Sequence, residues 1–86
     1  MMYYFLVAVR RHTDRVSAEI LPGGNPTNMR LGGLPEVFVR DLARAIGEDG
    51  QRDFLVDIIA KSEDMALTKV HSLAHRARNL AKTTKK

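Results

Sequence analysis

Residues 22–33, which read PGGNPTNMRLGG, constrain the fold of this chain more than any other stretch. They contain four of its six glycines and two of its three prolines. Proline fixes φ and lacks a backbone N–H, and glycine weakens both helices and strands, so regular structure is interrupted here. We predict a loop, with room for a short third strand around residues 27–31, that separates two halves of different character.

The half before this loop has the composition of β-strands. Residues 2–10 are rich in aromatic and β-branched side chains, and residues 15–21, RVSAEIL, alternate apolar with polar side chains. Such side chains pack well on a pleated sheet, and a period of two is typical of a strand. The polar segment RRHTD between them indicates a turn. We therefore predict an antiparallel β-hairpin over about residues 2–21.

The half after the loop has helical spacing. Pro35 suits the first position of a helix, and Gly47 ends the first apolar pattern. Apolar side chains then recur at intervals of three and four from Gln51 almost to the C-terminus. Ser62 precedes two acidic residues and is a good N-terminal cap, so we expect a break or kink there. The predicted fold class is α+β, with the hairpin followed by two or three helices at about 34–47, 51–61 and 62–82, the last two either separate or continuous.

The length and the missing cysteines limit what the chain can be. Its 86 residues suit one small domain, which buries roughly 60 to 65% of the surface of its unfolded chain. Without cysteine there is no disulfide and no thiolate chemistry. Residues 83–86 have no apolar anchor, and we expect this basic tail to fray. The apolar run at residues 1–9 precedes its arginines and is too short to cross a bilayer as a helix, so we expect a cytoplasmic protein without a membrane span.

Charge is segregated along the chain. Residues 1–35 carry a net charge of +2, residues 36–64 carry −4 and residues 65–86 carry +6. A basic helical edge can lie along phosphates and gain affinity by releasing counterions. It can equally be a solvated helix end that the dipole favours, pair with the acidic residues 36–64, or meet a partner protein or an anionic membrane surface.

The candidate binding residues lie on the two flanks of the last predicted helix and in the hairpin turn. One flank of the apolar stripe carries His71, His75, Arg78 and Lys82, the other carries Lys69 and Arg76, and the turn adds Arg10, Arg11 and Arg15. All nine are predicted to contact either nucleic acid or an acidic partner.

The histidines invite a metal interpretation, because His71 and His75 have the i, i+4 spacing of a helical zinc site. In a zinc-protease helix, however, glutamate follows the first histidine, and here Ser72 follows it. The third histidine, His12, lies in the predicted hairpin turn. We predict no metal and assign the pair to the basic edge, to which imidazoles add charge when protonated.

Residues 41–59, DLARAIGEDGQRDFLVDII, resemble the first half of a helix-turn-helix, in which an alanine packs inside the first helix and a glycine makes the turn. Gly47 stands at the turn position, but Glu48 occupies an apolar position of the motif. The implied recognition helix would present Asp53 and Asp57, which phosphates repel. We therefore favour a simple amphipathic helix that ends at Gly47.

No catalytic signature is present. The glycines lack the spacing and the lysine of phosphate-binding loops, and no serine lies in a glycine elbow. We predict no enzyme activity, no cofactor and no small-molecule substrate. A two-stranded hairpin is marginal alone and leaves Tyr4 and Leu6 on one face beside open strand edges, so we expect an interaction surface there. We also expect a homodimer formed through the hairpin, the long helix or both.

The sequence thus predicts a small basic binding protein. The favoured function is a nucleic-acid-associated accessory or regulatory factor that uses the basic edge of its C-terminal helix. The alternative is a protein-interaction module, such as a small inhibitor or adaptor of phage or mobile-element type, that docks its hairpin or basic helix on an acidic partner.

Overall fold

The chain folds into a three-stranded antiparallel sheet and two helices, in a computed structural model that describes residues 2–13, 15–22 and 32–84. The elements are β1 (Tyr3–His12), β2 (Arg15–Ile20), α1 (Pro35–Ala45), β3 (Gln51–Ala60) and α2 (Glu63–Thr84). The strand order is β2-β1-β3, so the first strand of the chain is central. The predicted α+β class, with an N-terminal hairpin followed by helices, is confirmed.

The hairpin pairs β1 with β2 in one register, with Val9 opposite Ala18 and Val7 opposite Ile20. Odd-numbered residues of β1 face the helices, and Val7 and Val9 are buried there. Even-numbered residues of β1 face away from the helices. For residues 15–21 this two-residue period is the pattern that predicts a strand, whereas residues 2–10 are predicted as a strand from their aromatic and β-branched side chains.

The prediction of a helix over residues 51–61 is wrong, because residues 51–60 form the strand β3. This strand lies antiparallel to β1, with Phe54 opposite Val9 and Val56 opposite Val7. Leu55 and Ile59, which the helical spacing assigned to a buried stripe, are 50% and 42% exposed. The even-numbered, largely β-branched or aromatic residues are the ones that face the core, as a strand requires. The resemblance of residues 41–59 to a helix-turn-helix fails for the same reason.

The break expected at Ser62 is confirmed, and a helix continuous through this residue is excluded. Ser62 Oγ accepts a hydrogen bond from the N–H of Met65 at 3.2 Å, which caps α2. The first predicted helix is also confirmed as α1, with Gly47 in the left-handed region at φ 93° after its end. The third strand proposed around residues 27–31 lies outside the described residues. α2 runs to Thr84, two residues into the predicted tail.

The core lies between the helices and one face of the sheet. From α1, Phe38 and Leu42 are buried, and Phe38 meets the ring of Phe54 edge to face at 5.6 Å. The inward face of α2 consists mostly of small side chains, namely Ala66, Val70, Ala74, Ala77 and Ala81. Alanines allow α2 to approach the sheet and α1 closely, because little side chain stands between the backbones.

Two glycines cover the middle of the outer edge of β3. Gly33 N–H donates to Leu55 O at 2.9 Å and Gly33 O accepts from Asp57 N–H at 3.0 Å, which forms a parallel bridge. Gly32 N–H donates to the carboxylate of Asp57 at 3.1 Å, and Asp57 is buried although it lies on the face away from the helices. A Cβ at Gly32 would lie 3.0 Å from Leu6 Cδ1 and 3.1 Å from the carbonyl of Leu55, so any larger residue would force these neighbours to shift.

The hairpin turn and the C-terminal ends of both helices lie at the same end of the sheet. Thr13 N–H donates to Gly50 O at 3.3 Å, which joins the hairpin turn to the loop between α1 and β3. The last turns of α2 reach the same end, where Lys82 and Thr13 border one groove. In the part of the chain that the structure describes, no helix is long and apolar enough to cross a membrane.

Candidate functional site

A groove of about 730 Å³ opens at this end of the sheet, between α2 and the hairpin. Its polar lining comes from β1, the hairpin turn and α2, and consists of Arg11, Thr13, His75, Arg78, Asn79 and Lys82. Its apolar lining comes mainly from β2 and the C-terminal end of α1, and consists of Val16, Leu42, Ile46 and Ala81. We call this feature the basic groove.

The helical spacing of α2 places three side chains in the basic groove. Because the alanine-rich face is turned inward, His75, Arg78 and Lys82 fall on the flank beside Val16 of β2. All three are exposed and line the groove. The sequence predicted this line of residues correctly as one edge of the helix.

The predicted location of Arg11 is wrong, because this residue is not on the surface of the hairpin turn. β1 continues to His12, so Arg11 takes an inward position of the strand and is only 2% exposed. Its Nη1 donates to Thr13 O at 3.0 Å and to Glu48 O at 2.8 Å. Its Nε is buried and has no hydrogen-bond partner among the described residues.

The partners of Arg11 are neutral carbonyls, and this matters for the charge of the groove. A buried cation is normally compensated by a carboxylate, and an unpaired buried donor is costly. The carboxylate of Glu48 is engaged elsewhere, since it accepts from Arg52 Nη1 at 3.3 Å. Among the described residues that line the groove there is no carboxylate. The guanidinium of Arg11 therefore contributes a fixed positive charge to the wall of the groove.

Other basic residues singled out by sequence lie elsewhere. Lys69 Nζ donates to Ile59 O at 2.6 Å, and with Arg76 it borders a second, smaller hollow between α2 and β3. Arg10 lies on the sheet face away from the helices, where Nε meets Asp53 Oδ1 at 3.1 Å. Arg15 is exposed on that same face. The structure thus brings together only four of the nine predicted basic residues in one place.

His71 stays outside the groove, although it lies one turn before His75 on the same flank. Both imidazoles are exposed. Within the described ranges, no group of three or more histidine, aspartate or glutamate residues is arranged to hold a metal ion.

The sheet face away from the helices is a second surface, which we call the open face. Tyr4 and Leu6 lie on it as predicted and are half-buried. Leu55 and Ile59, which sequence reasoning missed, are more exposed than either. They were missed because a helical assignment of residues 51–61 hides their position, whereas a strand assignment would have placed them opposite Ala8 and Tyr4.

The basic groove also contains side chains that no sequence signal marked. Thr13 and Asn79 add a hydroxyl and an amide, both of which can hydrogen-bond an anion or a base edge. Val16 and Ile46 add apolar surface that is half-buried. The groove is therefore suited to an anion that is attached to an apolar or planar group.

Comparison with protein-family models, with curated proteins and with solved structures finds no match to this chain.

Proposed function

We propose that this protein is a non-enzymatic, cytoplasmic, nucleic-acid-associated accessory or regulatory factor that holds a phosphate backbone in the basic groove. The observation that carries the proposal is the convergence of Arg11, His75, Arg78 and Lys82 on one groove. Clustered cations attract polyanions, which release condensed counterions on binding.

The groove residues have different roles in this proposal. Lys82 and Arg78 are exposed and contact phosphate oxygens directly. Arg11 is held by two backbone carbonyls, so it supplies electrostatic attraction without having to be ordered on binding. Thr13 and Asn79 hydrogen-bond phosphate or sugar oxygens. These contacts position a strand but read no base sequence, so binding is largely sequence-independent.

The test measures binding of labelled oligonucleotides by fluorescence anisotropy, with single strands and duplexes of about 20 nucleotides at salt concentrations from about 50 to 200 mM. We expect binding that weakens log-linearly with salt. Lys82→Glu should weaken it about tenfold and lower the salt slope by about one.

Arg76→Glu is the matched control for this experiment. It makes the same change of charge on the same exposed helix, but on the flank away from the groove. We expect a much smaller loss than for Lys82→Glu. Equal losses in the two variants would show that only net charge matters, and no binding of either oligonucleotide at about 50 mM salt would refute the proposal.

A protein-interaction module is the second candidate, and the open face favours it. Leu55 and Ile59 expose apolar side chains there, and such surfaces often mark contacts with other proteins. An acidic protein could also occupy the basic groove. Oligoglutamate of the same charge as the oligonucleotide separates the two functions, because an acidic-partner groove would bind both polyanions equally well.

A further inference from the structure

The outer edge of β2 has backbone groups that the described part of the chain leaves unpaired. β2 lies at one end of the sheet and pairs with β1. Leu21 N–H donates to Leu6 O at 2.9 Å, which fixes the hydrogen-bonding phase of the ladder. In an antiparallel ladder this phase alternates, so Val16, Ala18 and Ile20 direct their N–H and C=O groups away from β1.

The two edges of the sheet differ in how their outward backbone groups are paired. The edge at β3 is covered at Leu55 and Asp57 by the bridge from Gly33 to Val56. The edge at β2 has no such bridge among the described residues. It is short, at six residues, and carries the exposed side chains Arg15 and Glu19. Charges on an edge strand usually discourage pairing with other strands. Pairing is favoured only where each charge faces an opposite charge on the partner strand.

The charges of β2 are complementary to those of a second, antiparallel copy of β2. Arg15 and Glu19 lie two residues before and two residues after Ser17, and all three face the same side of the sheet. When two copies pair antiparallel about Ser17, Arg15 of each copy stands opposite Glu19 of the other. These are non-hydrogen-bonded positions, where opposite Cα atoms are about 4.5 Å apart and side chains interact most closely.

The backbone selects the same register. With Ser17 at the centre, Val16 stands opposite Ala18 of the second copy, and both residues have their N–H and C=O groups directed outward. A shift by one residue would place outward side chains opposite inward ones. A shift by two would place Ser17 opposite Arg15 or Glu19 and lose both ion pairs. Charge and hydrogen-bonding phase thus agree on one arrangement.

We propose that this protein forms a homodimer through antiparallel pairing of β2 with β2 of a second copy, in the register centred on Ser17. The pairing joins the two sheets edge to edge, and its twofold axis is perpendicular to the sheet. Both copies therefore keep their helices, and their basic grooves, on the same side of the joined sheet. The dimer does not depend on the proposed function, because the pairing uses the backbone and the open-face charges of β2 and needs no nucleic acid, although the side chain of Val16 also lines the basic groove.

The test is the concentration dependence of mass, measured by sedimentation without nucleic acid. We expect the native chain to dimerise. Arg15→Glu and Glu19→Arg each place like charges opposite one another twice per dimer, and each should weaken dimerisation about tenfold. The double variant Arg15→Glu with Glu19→Arg restores both pairs and should return the affinity to near the native value. Arg40→Glu, on the exposed side of α1, changes charge equally and should have no effect.

Hydrogen exchange gives a second readout that does not depend on any variant. The amides of Val16 and Ala18 should be protected at high protein concentration and exchange rapidly on dilution, whereas those of Ser17 and Glu19 bond to β1 throughout. A chain that stays monomeric at about 1 mM would overturn the proposal, as would a dimer in which Val16 and Ala18 stay unprotected. Protection without rescue by the charge swap would overturn the register centred on Ser17.

Discussion

Arg11 Nη1 donates to the backbone oxygen of Glu48 at 2.8 Å, and this bond ties the end of β1 to the loop that follows α1. A second bond from the same nitrogen reaches Thr13 O at 3.0 Å in the hairpin turn. One buried side chain thereby connects the hairpin with the segment between α1 and β3. The same side chain forms part of the wall of the basic groove, so stability and the proposed binding share a residue.

Arg11→Ala should lower the free energy of unfolding by about 2 to 4 kcal/mol, because two hydrogen bonds from a charged donor are lost and their carbonyls are left unpaired. Urea denaturation followed by circular dichroism measures the change. The neighbouring Arg10 is the control, since its ion pair with Asp53 is exposed. Arg10→Ala should cost no more than about 1 kcal/mol, and equal costs would contradict the structural role of Arg11.

Ile58 and Ile59 test the assignment of β3 as a strand. Ile58 is 2% exposed and faces the core, whereas Ile59 lies on the open face. Ile58→Thr should destabilise the protein by about 2 to 4 kcal/mol, since it removes buried apolar surface and buries a hydroxyl, while Ile59→Thr should change stability by less than about 1 kcal/mol. Thermal or urea unfolding of the two variants decides the matter. A larger effect at Ile59 would contradict the register of the sheet.

Ser62 is expected to stabilise the first turn of α2 through its side chain. Ser62→Ala removes the acceptor of the Met65 N–H and should cost about 1 kcal/mol. Ser62→Asp keeps an acceptor at the cap and should retain most of the stability. The outcome that argues against the cap is an alanine variant as stable as the native chain, measured by urea denaturation.

Gly32 is expected to accept an added side chain only at a cost in stability. Its added Cβ would lie 3.0 Å from Leu6 Cδ1 and 3.1 Å from the carbonyl of Leu55, and the backbone of β3 cannot move away easily. Gly32→Ala should therefore cost about 1 to 3 kcal/mol in urea denaturation. At Gly33 the nearest contact is 3.4 Å, so Gly33→Ala should cost less. A larger loss of stability for Gly33→Ala than for Gly32→Ala would contradict the close approach at Gly32.

The sequence predicted the elements whose local pattern favours one structure. Residues 15–21 alternate apolar with polar side chains, residues 2–10 are rich in aromatic and β-branched side chains, and α1 begins at Pro35 and ends before Gly47, as local preferences dictate. Residues 51–60 fit both a helical and a strand pattern. Leu55 and Ile59 have the four-residue spacing of a helix, while Phe54, Val56 and Ile58 have the two-residue spacing of a strand. Pairing with β1, which local pattern does not contain, selects the strand.

The candidate site was predictable to the extent that one helix builds it. His75, Arg78 and Lys82 are brought to one flank by helical geometry alone. Arg11 was misplaced because its burial depends on β1 extending to His12, one strand residue beyond it. The apolar wall contributed by Leu42 and Ile46 depends on how α1 packs against the rest, so no local signal reveals it.

The central position of β1 has a consequence for the order in which the protein can fold. The hairpin forms from neighbouring residues, but β3 must find β1 across a long stretch of chain, as Arg10 and Asp53 are 43 residues apart. Closing such a loop costs entropy before any contact repays it, so we expect this step to limit the folding rate. During synthesis β1 is made first and waits with one side uncovered, which makes a chain stalled before β3 prone to aggregation.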